Sequence, residues 1–332
     1  MAIAHPYLMF LADAPDPLAA KTAQGIVHWR PDWCLGQLRL EGCKADLGIP
    51  DMTVEQAAKA GVKTMIVGVA NRGGKVGGSW LAALVEALER GLDLASGLHR
   101  RLSDIPELRE LAAKRGRMLF DVRHPTRDFD VASGRKRSGK RLLTVGTDCS
   151  VGKMYTTLAL EKEMKARGMK ADFRATGQTG IFIAGSGVSI DAVVADFISG
   201  AVEWLSPPNE PDHWDLIEGQ GSLFHASYAG VSLGLLHGAQ ADALVMCHEP
   251  TRPHMRGLPD YQMPDLGACI EANEHAARLT NPAARCIAIS INTAGLDEAA
   301  ATACLHKAEA TYDLPAADPF RTGVSRIVDA LG

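Results

Sequence analysis

A glycine-rich loop that ends in Gly-Lys is the strongest chemical signal in the chain. An apolar segment, residues 142–145, leads into Gly146, and Gly152 and Lys153 close the loop. Successive backbone N–H groups of such a loop converge on a phosphate, and the positive end of the following helix adds to the attraction. The glycines permit the turn and a close approach, and the lysine supplies a mobile positive charge. The sequence therefore predicts a phosphate-binding loop.

This loop departs from the usual G-x4-G-K-[ST] pattern, because five residues separate its glycines and Met154 follows the lysine. The missing hydroxyl residue normally binds magnesium. Thr156 or Thr157 could replace it one turn later, but we predict no metal site. A phosphate-bearing group that is bound and not cleaved suits such a loop. The residues predicted to bind the cofactor are Gly146, Thr147, Cys149, Ser150, Val151, Gly152, Lys153 and Met154.

Cys149 is either a small loop residue or a nucleophile, since a thiol near a helix N-terminus can have a lowered pKa. Glu218 follows the apolar segment Trp214–Ile217, which reads as a strand. A carboxylate at the carboxyl end of a parallel strand can act as a general base or hold magnesium beside a phosphate loop. Glu218 is the first candidate base, with Asp148 and His225 behind it. The alternative for Glu218 is a carboxylate that binds local amides.

Two further loops should reach the same cleft, because ligands of open α/β sheets bind beyond the carboxyl ends of the strands. They are Arg174–Gly180 and His248–His254. Arginine suits bidentate recognition of a carboxylate or a phosphate. The predicted substrate-binding residues are Arg174, Thr176, Gln178, Thr179, Gln220, Ser222, Glu249 and Arg252. Asn71 and Arg72, after an earlier strand, are either ligand contacts or a turn.

Strand and helix patterns alternate along the chain, which predicts an α/β fold with parallel sheets. Apolar residues from Ile190 to Ala201 recur at helical spacing and predict one helix.

The segment 133–141 (SGRKRSGKR) holds five basic residues and two glycines. It is either a solvated linker or a group of charges that binds phosphates. We place the domain boundary there, giving domains 1–136 and 137–332.

Composition excludes several classes of protein. The 332 residues are 46% apolar and 22% charged with a net charge of −4, so neither disorder nor nonspecific nucleic-acid binding is expected. The seven cysteines lack CxxC spacing, which favours a reducing cytoplasm over a disulfide framework. We find no signal peptide and no apolar stretch long enough for a membrane helix. We expect a cytoplasmic protein that acts on a small-molecule substrate and assembles as a homo-oligomer.

Over almost its whole length the chain resembles a two-domain bacterial family long catalogued as a domain of unknown function. The resemblance depends on four segments, Gly146–Lys153, Arg174–Gly180, Glu218–Ser222 followed by His225, and His248–Arg252. It implies an N-terminal Rossmann-like domain and a C-terminal P-loop domain. The family includes the D-glutamate N-acetyltransferase of D-amino-acid catabolism, so the resemblance implies acetyl-CoA as donor and N-acetyl-D-glutamate as product.

Two other functions stay open at this point. The chain also resembles the dethiobiotin synthetase branch of P-loop proteins. This second resemblance depends on the loop sequence Gly-Thr-Asp-x-x-Val-Gly-Lys and on Glu218-Gly219. That resemblance implies a kinase or ligase that uses ATP and Mg²⁺, against which Met154 weighs. The third possibility is a noncatalytic nucleotide sensor, although a sensor needs fewer polar loops around its cleft.

Overall fold

The computed structural model describes residues 3–69, 78–125 and 127–332. The chain forms two compact units, Met1–Thr126 with Gly177–Ala192, and Arg127–Thr176 with Val193–Gly332. The sequence did not indicate that the segment 177–192 packs with the N-terminal unit. Asn71 and Arg72, considered above as ligand contacts, lie outside the described residues. None of the helices in the described ranges combines the length and apolar character needed to cross a bilayer.

The first unit contains a five-stranded sheet in the order β2-β1-β3-β4-β5 in which every pair is parallel. Its strands are β1 Tyr7–Ala12, β2 Cys34–Arg39, β3 Thr64–Val67, β4 Asp93–Ser96 and β5 Leu119–Asp121. Its α-helices are α1 Lys21–Trp29, α2 Val54–Lys59, α3 Gly78–Glu89, α4 Pro106–Arg115 and, later in the chain, α6 Gln178–Ala184. Strand β1, which pairs with β2 and β3, is apolar and buried at all six positions, as expected for a parallel sheet covered on both faces.

The second unit contains a six-stranded sheet in the order β11-β10-β9-β6-β8-β7, again parallel throughout. Its strands are β6 Lys140–Gly146, β7 Ala171–Arg174, β8 Trp214–Ile217, β9 Ala243–His248, β10 Arg285–Ile291 and β11 Ala316–Ala317. Its α-helices are α5 Lys153–Ala166, α7 Ile198–Leu205, α8 Ala229–Ala239, α9 Leu266–Arg278, α10 Glu298–Tyr312 and α11 Ser325–Asp329. Because β6 lies between β8 and β9, its loop opens at the middle of the carboxyl edge, where such sheets bind ligands.

The predicted α/β fold with two parallel sheets is confirmed. The predicted continuous helix from Ile190 to Ala201 is wrong. Two short 3-10 turns, Ile190–Ala192 and Ala195–Phe197, precede α7, and the backbone at Val194 is extended (ψ 138°). The apolar spacing suits a helix, but adjacent β-branched valines at 193 and 194 have low helix propensity.

Two arginines of the basic segment 133–141 are structural. The buried guanidinium of Arg141 donates to the hydroxyl of Ser206 (2.8 Å) and to the carbonyl oxygens of Arg137 (3.1 Å) and Pro207 (3.0 Å). Arg137 donates to the carbonyl oxygens of Ser206 (2.9 Å) and Ala239 (3.0 Å). The final carbonyl groups of a helix have no partner within the helix, and these two arginines supply donors where α7 and α8 end. Burial lowers the pKa of Arg137 only to about 10, so it stays charged at neutral pH.

Substituting Arg141 tests this structural role. Arg141→Met keeps much of the buried volume but leaves several buried carbonyl groups without a donor. We expect the free energy of unfolding to fall by about 3–5 kcal/mol, the range for breaking a buried charged network. Urea unfolding followed by tryptophan fluorescence measures the change. Arg135→Met, at an exposed position of the same segment, is the control and should change stability by less than about 0.5 kcal/mol. Equal stability of both variants would contradict the structural role.

Candidate functional site

The phosphate loop runs from the end of β6 to the start of α5. Its backbone adopts left-handed conformations at Ser150 (φ 55°) and Gly152 (φ 107°). Within the described part of the chain, the backbone N–H groups of Ser150, Val151 and Gly152 have no protein acceptor. Consecutive N–H groups turned the same way form a concave site for an anion, and the N-terminus of α5 adds its partial positive charge. The loop is therefore a candidate site for a phosphate.

Lys153 lies beneath this loop. Its ammonium group donates to the carbonyl oxygen of Asp148 at 2.8 Å, and the residue is 6% exposed. Burial lowers the pKa of Lys153, while the neighbouring groups, Asp148 and Glu218 among them, oppose the shift. An anion bound in the loop would favour the charged lysine, so ligand binding and protonation of this amine should be coupled.

Asp148 holds the loop together from inside. Its carboxylate is fully buried and accepts from the N–H of its neighbour Cys149 (2.6 Å), the guanidinium of Arg252 (2.8 Å) and the N–H of Arg256 (2.8 Å). These donors surround an anion that would otherwise be costly to bury. In this arrangement the Asp148 carboxylate joins the phosphate loop to the segment after β9.

The guanidinium of Arg252 forms hydrogen bonds with other groups of the protein. Besides Asp148, it donates to the carbonyl oxygens of Cys149 (2.8 Å) and Ser150 (2.7 Å). Its Nε pairs with Glu249 at 2.9 Å, and Glu249 in turn accepts from the N–H of Thr251 at 2.8 Å. Glu249 and Arg252, both predicted to bind substrate, therefore lie beside the phosphate loop and stabilise it.

His225 has a partner at each ring nitrogen. Its Nδ1 accepts from the N–H of Ser227 (3.1 Å), which places the proton on Nε2, and Nε2 donates to the carbonyl oxygen of Arg256 (3.1 Å). The ring stacks on Tyr228 with 4.6 Å between centroids. The ligand atoms of Asp148, Cys149 and His225 lie within 4.8 Å of one another. The carboxylate and the imidazole are already committed to Arg252 and Arg256, so this trio does not offer a set of free metal ligands.

Glu218 lies at the carboxyl end of β8 with 4% exposure. Its carboxylate accepts from the N–H of Thr176 at 2.9 Å, and its carbonyl oxygen accepts from the hydroxyl of Thr176 at 2.6 Å. The same hydroxyl accepts from the amide of Gln220 at 3.1 Å. The next residue, Gly219, donates to the hydroxyl of Thr144 in β6 at 3.0 Å. The candidate base is therefore held against both neighbouring strands, β6 and β7.

The hydroxyl groups that could have replaced the missing magnesium ligand are occupied. Thr156 lies 2.7 Å from the hydroxyl of Ser290, and Thr157 lies 2.9 Å from the hydroxyl of Thr144. Both residues are buried. Met154, at the position of the usual ligand, is half-buried.

The remaining residues predicted from the sequence are described by their hydrogen bonds or by the helix to which they belong. The hydroxyl of Thr147 contacts Nδ1 of His248 at 3.0 Å, and Ser222 donates to the carbonyl oxygen of Thr147 at 3.0 Å. Arg174 turns its guanidinium to the buried Asp215, with Nη2 to oxygen at 2.8 Å. Gln178 and Thr179 begin α6, which belongs to the first unit.

Cys149 does not have the lowered pKa that a reactive thiol would need. Burial raises the pKa of its thiol, and the nearby ammonium of Lys153 opposes this only partly. The thiol is therefore mostly protonated at neutral pH, which favours a loop residue over a nucleophile.

Arg256, two residues beyond the segment His248–His254, is not among the site residues predicted from the sequence. Its backbone is held by Asp148 and His225, and its side chain donates to the hydroxyl of Ser150. A second arginine four residues after Arg252 was the only available signal, and spacing alone does not show which of the two faces a ligand.

Comparison with known proteins adds to this geometry. A family model described as "Domain of unknown function (DUF1611_N) Rossmann-like domain" matches residues 38–125, and one described as "Domain of unknown function (DUF1611_C) P-loop domain" matches residues 130–328. A protein of Tritonibacter scottomollicae named D-glutamate N-acetyltransferase is 57% identical over 329 residues, covering 99% of both chains. One of the same name from Pseudoalteromonas sp is 51% identical over 328 residues, with the same coverage.

A solved structure is also similar over the whole chain. The crystal structure of a DUF1611 family protein from Anabaena variabilis superposes with a TM-score of 0.87 at 32% identity, covering 99% of both chains. The Rossmann-like and P-loop assignments of the two domains are thereby confirmed.

The close approach of Gly219 to β6 gives a test of the site's construction. A Cβ atom on Gly219 would lie 1.7 Å from the carbonyl oxygen of Thr144. Gly219→Ala must therefore move β8 away from β6, at a cost of about 1–3 kcal/mol or more, and should displace Glu218. Gly230→Ala is the matched control, because a Cβ there meets nothing within 4 Å and alanine favours a helix. Thermal unfolding compares the melting temperatures of the two variants. Equal melting temperatures would contradict the close approach of Gly219 to the carbonyl oxygen of Thr144.

Proposed function

Because this chain belongs to the DUF1611 family, with full-length relatives named D-glutamate N-acetyltransferase, we propose that it transfers an acetyl group to the amine of D-glutamate. The reaction forms an amide bond and breaks the bond from the acetyl carbonyl to its carrier. The observation that carries the proposal is identity of 57% and 51% over 99% of the chain to two such relatives. The product is N-acetyl-D-glutamate.

The acetyl donor that we propose is acetyl-CoA, which carries a pyrophosphate and a 3′-phosphate. The N–H groups of Ser150, Val151 and Gly152 and the ammonium of Lys153 would bind one of these phosphates. Support comes from the hydroxyl groups of Thr156 and Thr157, which are buried and hydrogen-bonded to Ser290 and Thr144. A loop of this kind suits a phosphate that anchors the donor and is not itself transferred.

The base that we propose is Glu218. The amine of D-glutamate enters as ammonium, so one proton must leave before the nitrogen attacks the thioester carbonyl. The carboxylate of Asp148 is enclosed by Arg252, Arg256 and its own loop, and both ring nitrogens of His225 are engaged. Glu218 stands at the carboxyl edge of the sheet, close enough to Lys153 to influence its pKa. After attack, the tetrahedral intermediate collapses and releases the thiolate of CoA.

Release of free thiol tests the reaction directly. Protein mixed with acetyl-CoA and D-glutamate should release CoA thiol without ATP, and EDTA should not change the rate. Mass spectrometry should show N-acetyl-D-glutamate, and L-glutamate in the parallel reaction should be a poorer substrate. Dependence on ATP and Mg²⁺ would instead support the kinase or ligase related to dethiobiotin synthetase. Binding of nucleotide with no turnover of any mixture would support a sensor.

The identity of the base is tested by Glu218→Gln, which keeps the size of the side chain and its ability to accept from Thr176. We expect kcat to fall by about 10²–10⁴ because proton transfer is lost, while acetyl-CoA still binds. Cys149→Ser is the companion variant and should keep most of the activity, with no acetylated protein formed from acetyl-CoA alone. An inactive Cys149→Ser enzyme together with an active Glu218→Gln enzyme would indicate a covalent acetyl-enzyme instead.

A further inference from the structure

We propose that Arg256 binds a phosphate of the acetyl donor, and that Asp148 and His225 are positioning residues that hold Arg256 beside the phosphate loop. The inference depends on the proposed function only for the identity of the donor. Its structural basis is that Arg256 combines a backbone fixed by buried groups with a side chain that is exposed.

The backbone of Arg256 is anchored on both sides. Its N–H donates to the carboxylate of Asp148 at 2.8 Å, and its carbonyl oxygen accepts from Nε2 of His225 at 3.1 Å. Asp148 is 0% and His225 is 2% exposed. The preceding residue, Met255, is 3% exposed and anchors the segment in the core. The position of this arginine is therefore fixed by two buried side chains that the sequence suggested as bases.

The side chain of Arg256 reaches the loop from the solvent side. One of its Nη atoms donates to the hydroxyl of Ser150, whose own backbone N–H has no acceptor among the residues that the structure describes. The residue is exposed, and its remaining donors have no partner among the described residues. Arg252 differs, because its guanidinium donates to Asp148, Glu249 and the carbonyl groups of the loop. Of the two arginines, Arg256 is the one able to bind a ligand.

The chemistry of the neighbouring groups selects a phosphate. Backbone N–H groups and the ammonium of Lys153 approach the site from the loop, and a guanidinium adds a planar pair of donors that fits two phosphate oxygens. Both the pyrophosphate and the 3′-phosphate of CoA have this chemistry. Comparison of CoA with 3′-dephospho-CoA distinguishes them, because only a contact to the 3′-phosphate is lost when that group is removed.

Isothermal titration with CoA tests the role of Arg256 without requiring catalysis. We expect Arg256→Ala to weaken CoA binding by about 10- to 100-fold, the effect of losing one charge-assisted contact. The melting temperature should stay unchanged, because alanine retains the N–H and carbonyl groups that bind Asp148 and His225. Arg135→Ala, an exposed arginine preceding the amino end of β6, is the charge-matched control and should bind CoA like the wild type. Wild-type affinity in a folded Arg256→Ala variant would overturn the proposal.

A double-mutant cycle tests the positioning role of His225. His225→Phe keeps a ring against Tyr228 but removes the donor to Arg256. It should weaken CoA binding in the wild type and have little further effect in Arg256→Ala, because both changes act through the same contact. Additive effects of the two substitutions would show that His225 does not act through Arg256.

Inorganic pyrophosphate as a second probe separates this inference from the proposed function. If the wild type binds pyrophosphate but not CoA, acetyl-CoA is the wrong donor, and the Arg256→Ala comparison is made with pyrophosphate. If it binds neither probe, the phosphate role of the loop and of Arg256 is overturned. If the wild type binds CoA but releases no thiol from acetyl-CoA with D-glutamate, the proposed reaction is wrong. The CoA affinities of the wild type and of Arg256→Ala then still decide the role of Arg256.

Discussion

The carboxylate of Asp148, buried within its own loop, is the interaction on which the candidate site depends. Burying a single carboxylate is costly unless donors surround it, and here a guanidinium and two backbone N–H groups do so. The same contacts connect the loop after β6 to the segment after β9. Arg252 also donates to the carbonyl oxygens of Cys149 and Ser150, so it contacts the loop backbone as well as the carboxylate. The carboxylate of Asp148 thus holds the candidate phosphate site together through contacts with the protein itself.

Strand β6 serves two purposes at its two ends. At its amino end, Arg141 and Arg137 satisfy the carbonyl groups of two helices and contribute to stability. At its carboxyl end, the strand delivers the phosphate loop and accepts the close approach of Gly219. The apolar residues between them are fully buried on both faces. The arginine contacts and the candidate site therefore lie at opposite ends of one short strand.

The sequence was informative where local pattern decides the structure. Short apolar runs such as Trp214–Ile217 became strands because a parallel sheet buries both faces, and the Gly-Lys loop carries its own geometry. The roles of Asp148, His225 and Arg252 could not be deduced, since their hydrogen-bond partners lie as far as 108 positions apart in the chain. Nor could the sequence show that Gln178 begins α6, a helix of the N-terminal unit. Local spacing located the polar residues, and tertiary contacts determined what each one binds.

The segment 177–192 bears on how the chain is synthesised. Helix α6 packs on α1, Tyr7 donates to the carbonyl oxygen of Phe182, and the N–H of Ile3 donates to that of Gly185. The N-terminal unit is thus incomplete until residue 192 has left the ribosome, by which time β6, α5 and β7 of the second unit have already emerged. Domains often fold one after another as they leave the ribosome, but here the first must wait for part of the second. A gene fragment that stops near residue 130 would encode a first unit with one side of α1 uncovered.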